Sequence, residues 1–91
     1  MLAQAHYIRH CSSWMGDARL FRLEPPLNRN GTQVEYVVVS AVVVRGSGPE
    51  TYIFAADADG AVLNWDEMSG SFRGDLDHER ALSGLGFVKA A

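Results

Sequence analysis

His6, His10 and Cys11 open the chain with two imidazoles and a thiol within six residues. Histidines four apart share one face of a helix, and a thiolate would add a third zinc ligand. Cys11 adjoins His10, however, and would point elsewhere on such a helix; no Cys-x-x-Cys or further His pair completes a set. The expectation is no metal there and a surface segment instead. The same residues make a poor Cys-His nucleophile, because the partners in such sites are rarely neighbours in sequence. A second acidic stretch, Asp57-x-Asp59-Gly60 with Val62 and Asp66, has some of the offsets of a calcium loop. Its first position is Ala55 and strand-like sequence precedes it, so a hairpin turn is the expected structure.

The richest polar cluster is Ser69 to Glu79, SGSFRGDLDHE, where Arg73, Asp75, Asp77, His78 and Glu79 gather around two glycines. As a site, the glycines would admit a ligand closely and Arg73 would clamp an anion at the start of the following helix. As structure, Asp75 and Asp77 are caps, Arg73 pairs with one of them, and the glycines turn the chain. The structural account is the simpler of the two. Trp65, beside a turn signal just upstream, would report a ligand bound there. The candidate ligand- or partner-binding residues are therefore Trp65, Arg73, Asp75 and His78. No catalytic residues, metal ligands or cofactor are expected, since phosphate-loop and dinucleotide fingerprints are absent from the sequence.

The elements that must hold these residues centre on Val34 to Val44, VEYVVVSAVVV, the longest β-branched run. With period two, Val34, Tyr36, Val38, Ser40, Val42 and Val44 share one face, and Glu35, Val37, Val39, Ala41, Val43 and Arg45 the other. Both faces are apolar, so both must be covered. Ala18 to Glu24 reads as a preceding strand that Pro25-Pro26 ends, because proline donates no ladder hydrogen bond. Asn28 to Gly31, Arg45 to Pro49 and Asp57 to Gly60 are turns, and Thr51 to Ala56 and Ala61 to Leu63 are further strands. Asn64 and Glu67 have capping-box spacing, which predicts one helical turn before Gly70. Asp77 suits the N-cap of a final two-turn helix, with Leu76 stapling to Ala81 and Gly86 at its end, Phe87 folding back on Leu82.

The expected fold class is α+β: a four-stranded antiparallel meander sheet with a short C-terminal helix packed on one face. Residues 16–91 form a single domain, and 1–15 an N-terminal segment, a lid or a partly disordered arm, whose Trp14 and Met15 dock on the open face. A chain of 91 residues supports one thin core. A net charge of −3 gives no electrostatic reason to bind nucleic acid. One cysteine excludes an internal disulfide, the apolar strand is far shorter than the ~20 residues of a membrane helix, and the amino terminus has no signal-peptide pattern. A cytoplasmic protein with no membrane partner is the expectation.

The runs GDARLFRLEPPL, EYVVVSAV, GPETYIFAADADGAVLNWDEM and GSFRGDLDHERALSGLGF resemble a family of small proteins encoded by phages of actinobacteria. The resemblance spans Gly16 to Phe87 and is most specific in GSFRG-x-LDHE-x-AL. It implies a phage protein acting in the host bacterial cytoplasm, and brings no activity or catalytic residues with it. The expected function is that of a small non-enzymatic accessory protein that binds a host or phage protein or assembles with itself. A homodimer is expected, because two short terminal segments leave much of so apolar a sheet uncovered. The alternative is a small-ligand or nucleotide-binding protein that sequesters its ligand through the loop 69–79.

Overall fold

The structure, a computed structural model, describes residues 3–12 and 16–90. In chain order the elements are β1 (Gln4–His10), β2 (Asp17–Arg29), β3 (Thr32–Val44), β4 (Gly48–Ala56), β5 (Val62–Asn64), β6 (Phe72–Arg73), α1 (His78–Leu85) and β7 (Val88–Lys89). They form one seven-stranded sheet among the described residues, in the order β5-β4-β3-β2-β1-β7, with β6 also on β4. Every pair is antiparallel except β1 with β7, which is parallel. The expected four-stranded antiparallel meander is thus only the middle, β2 to β5, of a larger mixed sheet. The additions are β1, a seven-residue strand of mixed polarity on β2, and the two-residue strands β6 and β7, which have no periodicity to read. Gln4–His10 is itself a strand on β2; the expected docking of Trp14 and Met15 lies outside the described residues.

The valine run forms the central strand because β-branched side chains pack well on a pleated surface. Phe21, Leu23, Val37, Val39, Ile53 and Leu82 make up the heart of the cluster on the helix side. On the other side Cys11, Ala18, Leu20, Val38 and Ala56 form a second cluster. Val38 and Val39 point opposite ways and both are fully buried. Each contributes about 2 kcal/mol of apolar burial. Around the second cluster β1 approaches the turn between β4 and β5: Arg9 donates to the Asp59 carbonyl. Gly60, at φ 85°, sits so close that a Cβ there would lie 3.5 Å from Cys11 Sγ.

Three local expectations are corrected. Pro25-Pro26 does not end β2; the strand runs on to Arg29, with both prolines inside a register shift where the ladder is already interrupted. Beyond that shift Val34 belongs to the helix-side cluster and not with Val38. No helical turn follows Asn64, whose Oδ1 accepts from the Asp66 amide at 2.8 Å in a local turn instead. The chain after it runs along β4 as a strap, with the Met68 amide donating to the Ile53 carbonyl (3.0 Å) and the Ile53 amide to Ser71 Oγ (2.9 Å).

Helix α1 is too short to persist alone in water and is held by its ends and one face. Asp77 is the N-cap, accepting from the Arg80 amide at 3.0 Å, and Gly86 closes the helix in the left-handed region while the Phe87 amide returns to the Leu82 carbonyl. Ala81, Leu82 and Leu85 are buried, while Leu76 stays 45% exposed. Gly84 meets Gly70 of the strap so closely that a Cβ on Gly84 would lie 2.8 Å from the Gly70 Cα. Only two glycines permit that approach.

The two-sided burial makes Val38→Asp and Val39→Asp equally damaging. Each places an unpaired carboxylate in an apolar cluster at a cost of several kcal/mol, comparable with the total stability of a domain this size. Denaturant titration should show both variants largely unfolded in water; either one melting within a few degrees of the parent would contradict the arrangement.

Candidate functional site

Alternation along β4 sends Thr51, Ile53 and Ala55 toward the helix and Glu50, Tyr52, Phe54 and Ala56 to the opposite face. The second set begins a continuous row. Tyr52 stacks on Phe54 with ring centroids 6.0 Å apart, and Trp65 meets Phe54 edge-on at 5.4 Å. At the other end the Arg73 guanidinium lies 5.8 Å from the Tyr52 ring centroid. Trp65 is 69% exposed.

Local structure explains the alignment. β5 pairs Asn64 with Ala55, so Trp65 leaves the sheet beside Phe54. β6 pairs Arg73 with Glu50, which swings the guanidinium over the neighbouring Tyr52. Arg73 Nε stands 3.4 Å from Glu50 Oε2 and its Nη2 3.7 Å from Glu67 Oε1. The two ion pairs are unequal. Glu67 is exposed, and such pairs contribute little. Glu50 is only 2% exposed, so its carboxylate depends on Arg73 for compensation.

Asp75 and His78 lie elsewhere and tie down the helix. Thr51 Oγ1, fully buried, donates to the Asp75 carbonyl at 3.0 Å and accepts from the Asp77 amide at 3.1 Å. The Asp75 carboxylate accepts from the adjacent Leu76 amide. The His78 side chain, 10% exposed, has Nε2 at 2.7 Å from the Asp17 carbonyl, so that nitrogen carries the proton and donates. Of the four residues singled out by sequence, Trp65 and Arg73 therefore share one surface, joined by Tyr52 and Phe54, while Asp75 and His78 do not reach it. The expectation that Arg73 pairs with a capping aspartate is corrected to Glu50 and Glu67. Tyr52, Phe54 and Glu50 were readable only as alternate residues on one strand face, and Glu67 only as a cap.

A second polar cluster surrounds Asp17. Arg19 donates to both of its carboxylate oxygens, at 3.2 and 2.7 Å, while His10 Nε2 lies 3.5 Å from one and His78 Nε2 3.9 Å from the other. The Arg19 hydrogen bonds hold the Asp17 carboxyl below its ordinary range, against a smaller opposing effect of burial, and Asp17 in turn raises Arg19. A carboxylate so engaged is a poor base. The cluster pins the helix start to β2.

His6, His10 and Cys11 diverge: His6 Nε2 is 2.9 Å from Glu24 Oε1, His10 turns to Asp17, and Cys11 is buried in the second apolar cluster. Among the described residues no group of three or more His, Cys, Asp or Glu is placed to hold a metal ion. The acidic turn is the expected hairpin, with Asp57 Oδ1 accepting from the Asp59 and Ala61 amides. Among the described residues no helix is long and apolar enough to cross a membrane. Compared with protein families, curated proteins and solved structures, the chain finds no match.

The Asp17 arrangement has a pH signature. Its folded pKa is depressed, so its contribution to stability is complete above the unfolded carboxylate value of about 3.9 and disappears as pH falls through the lower folded value. Asp17→Asn removes that component. Denaturation midpoints measured from about pH 5 to about pH 2 should fall less steeply in the variant than in the parent; parallel curves would show that Asp17 is not held this way.

Proposed function

We propose that this chain is a small non-enzymatic protein-binding module whose contact surface is the row Tyr52, Phe54, Trp65 and Arg73. The observation that carries the reading is the composition and continuity of the row: three aromatic rings and a guanidinium in unbroken contact, ending in a Trp 69% exposed. Trp, Tyr and Arg dominate the binding energy of protein interfaces, since they bury large area while immobilising few torsions. Leu63, also exposed, extends the apolar area along the same edge. The resemblance to phage proteins supports a module that acts in the cytoplasm of an infected bacterium, bound to a host or phage protein or paired with a second copy. The ligand-sequestering alternative asks Arg73 to receive an anion while it faces two carboxylates, so protein contact is the favoured reading.

Arg73 is an unsuitable probe of this surface, because removing it strands the buried Glu50 carboxylate. Leu63→Ser changes an exposed side chain and should leave the melting temperature nearly unchanged, while Trp65→Ser, which also loses the Phe54 ring contact, should lower it by only a few degrees and leave the chain folded. Sedimentation and affinity capture should show the parent retaining a second copy or a host or phage protein, with an affinity reduced about tenfold or more by the double variant. Undiminished association in that variant would refute the assignment.

A further inference from the structure

β1 is the outermost long strand on the side of the sheet away from the row, and its outer edge is covered at one end only. There β7 pairs with Gln4 and Ala5, the Val88 amide donating to the Ala3 carbonyl and the Ala90 amide to the Ala5 carbonyl, both at 2.9 Å. Among the described residues no strand lies along the remainder, His6 to His10. We infer that this open stretch is a dimerisation edge, on which β1 of a second copy pairs antiparallel about a two-fold axis at Ile8. Such a dimer is a separate contact from the row, which it leaves to a host or phage protein.

An open strand edge is a template for another strand. Alternation turns the Tyr7 backbone the same way as Ala3 and Ala5, so its amide and carbonyl face outward. Tyr7, Ile8 and Val88 stand 50, 44 and 51% exposed along this margin, three of the seven large apolar side chains exposed among the described residues. Tyr7 is already held in place, its ring edge-on to Phe21 with centroids 5.8 Å apart. The run HYIRH contains none of the proline, lysine or acidic residues that guard edges elsewhere. The β4 edge at the other side of the sheet, by contrast, is sealed by β5, the strap and β6.

Three features identify the incoming strand as a second copy. The open window is bounded by β7 at Ala5 and by Cys11, whose amide turns inward to the Ala18 carbonyl. An antiparallel two-fold lays that window on itself and sets each β7 beyond the far end of the other window. The basic side chains of β1 are engaged within their own chain: Arg9 donates to the Asp59 carbonyl, His6 lies 2.9 Å from Glu24 and His10 3.5 Å from Asp17. Like charges therefore do not confront each other across the axis. A copy also brings a strand already ordered by β2, whereas a free peptide would surrender its chain entropy for an edge only five residues long. The bulge between Tyr7 and Arg9 twists this edge and shortens the ladder, so the dimer is weak, with a dissociation constant on the order of 100 μM.

Sedimentation equilibrium of the full chain from about 10 μM to about 1 mM should show monomer and dimer in exchange. Ile8→Lys should weaken the dimer about tenfold or more and Trp65→Ser should leave it unchanged. Ile8→Thr keeps a β-branched residue in the strand and should weaken it several-fold, which guards against misfolding of the lysine variant. The Tyr7 amide should exchange several-fold more slowly at about 1 mM than at about 10 μM protein. A monomer at every concentration, a dimer undiminished in both Ile8 variants, or Tyr7 exchange independent of concentration would overturn the inference. Dimerisation lost through Trp65→Ser and retained in Ile8→Lys would place self-association on the row and overturn it equally.

Discussion

Burial of β3 on both faces is the constraint from which the rest of the structure follows. Val37 and Val39 require a cover on one side and Val38 on the other, and a chain this short has little to cover them with. On one side the cover is α1, a helix that water would melt. It persists because its start is fastened three ways, by Asp77 to Arg80, by Thr51 between Asp75 and Asp77, and by His78 to Asp17. Its flank is locked where Gly84 meets Gly70. On the other side β1 approaches the turn between β4 and β5, where Arg9 donates to the Asp59 carbonyl.

The same economy shapes the candidate site. The outer edge of β4 is satisfied piecemeal, by β5 at one end, the Met68–Ser71 strap in the middle and β6 at the other. Unpaired strand edges invite aggregation, and three short segments remove this one. A consequence of the patchwork is that Trp65 and Arg73, eight positions apart, return to the same face of the same strand. Tyr52 and Phe54 connect them. Arg73 then both neutralises the buried Glu50 and presents a half-solvated cation at the surface.

The central meander was legible because its signals are strong and local. The valine run, the Asn28–Gly31 and Asp57–Gly60 turns, and the Asp77 and Gly86 caps each have one dominant physical reading, and the structure follows them. Asn30 at φ 51° and Gly31 at φ 83° occupy the left-handed positions expected of that turn. What was hidden depends on tertiary pairing. β6 and β7 have two residues each, and Gln4–His10 carries mixed polarity because it lies near the sheet's margin. Asn64 and Glu67 have the spacing of a cap, but Trp65 and Met68 between and beyond them pack against β4 instead. For the site, Trp65 and Arg73 stood out as residue types, while their union needed Tyr52 and Phe54, which in sequence are simply part of a strand. Asp75 and His78 looked equally chemical and prove to be fastenings.

Native-state hydrogen exchange tests most directly whether two-sided burial of β3 governs this fold. The amides of Val37, Val38 and Val39 should exchange only through global unfolding, with an opening free energy equal to that from denaturant titration. The strap around Met68–Ser71 should open at lower free energy, since it holds β4 by few bonds. If the β3 amides exchanged through local opening as readily as the strap, the central strand would not be the element on which the structure depends.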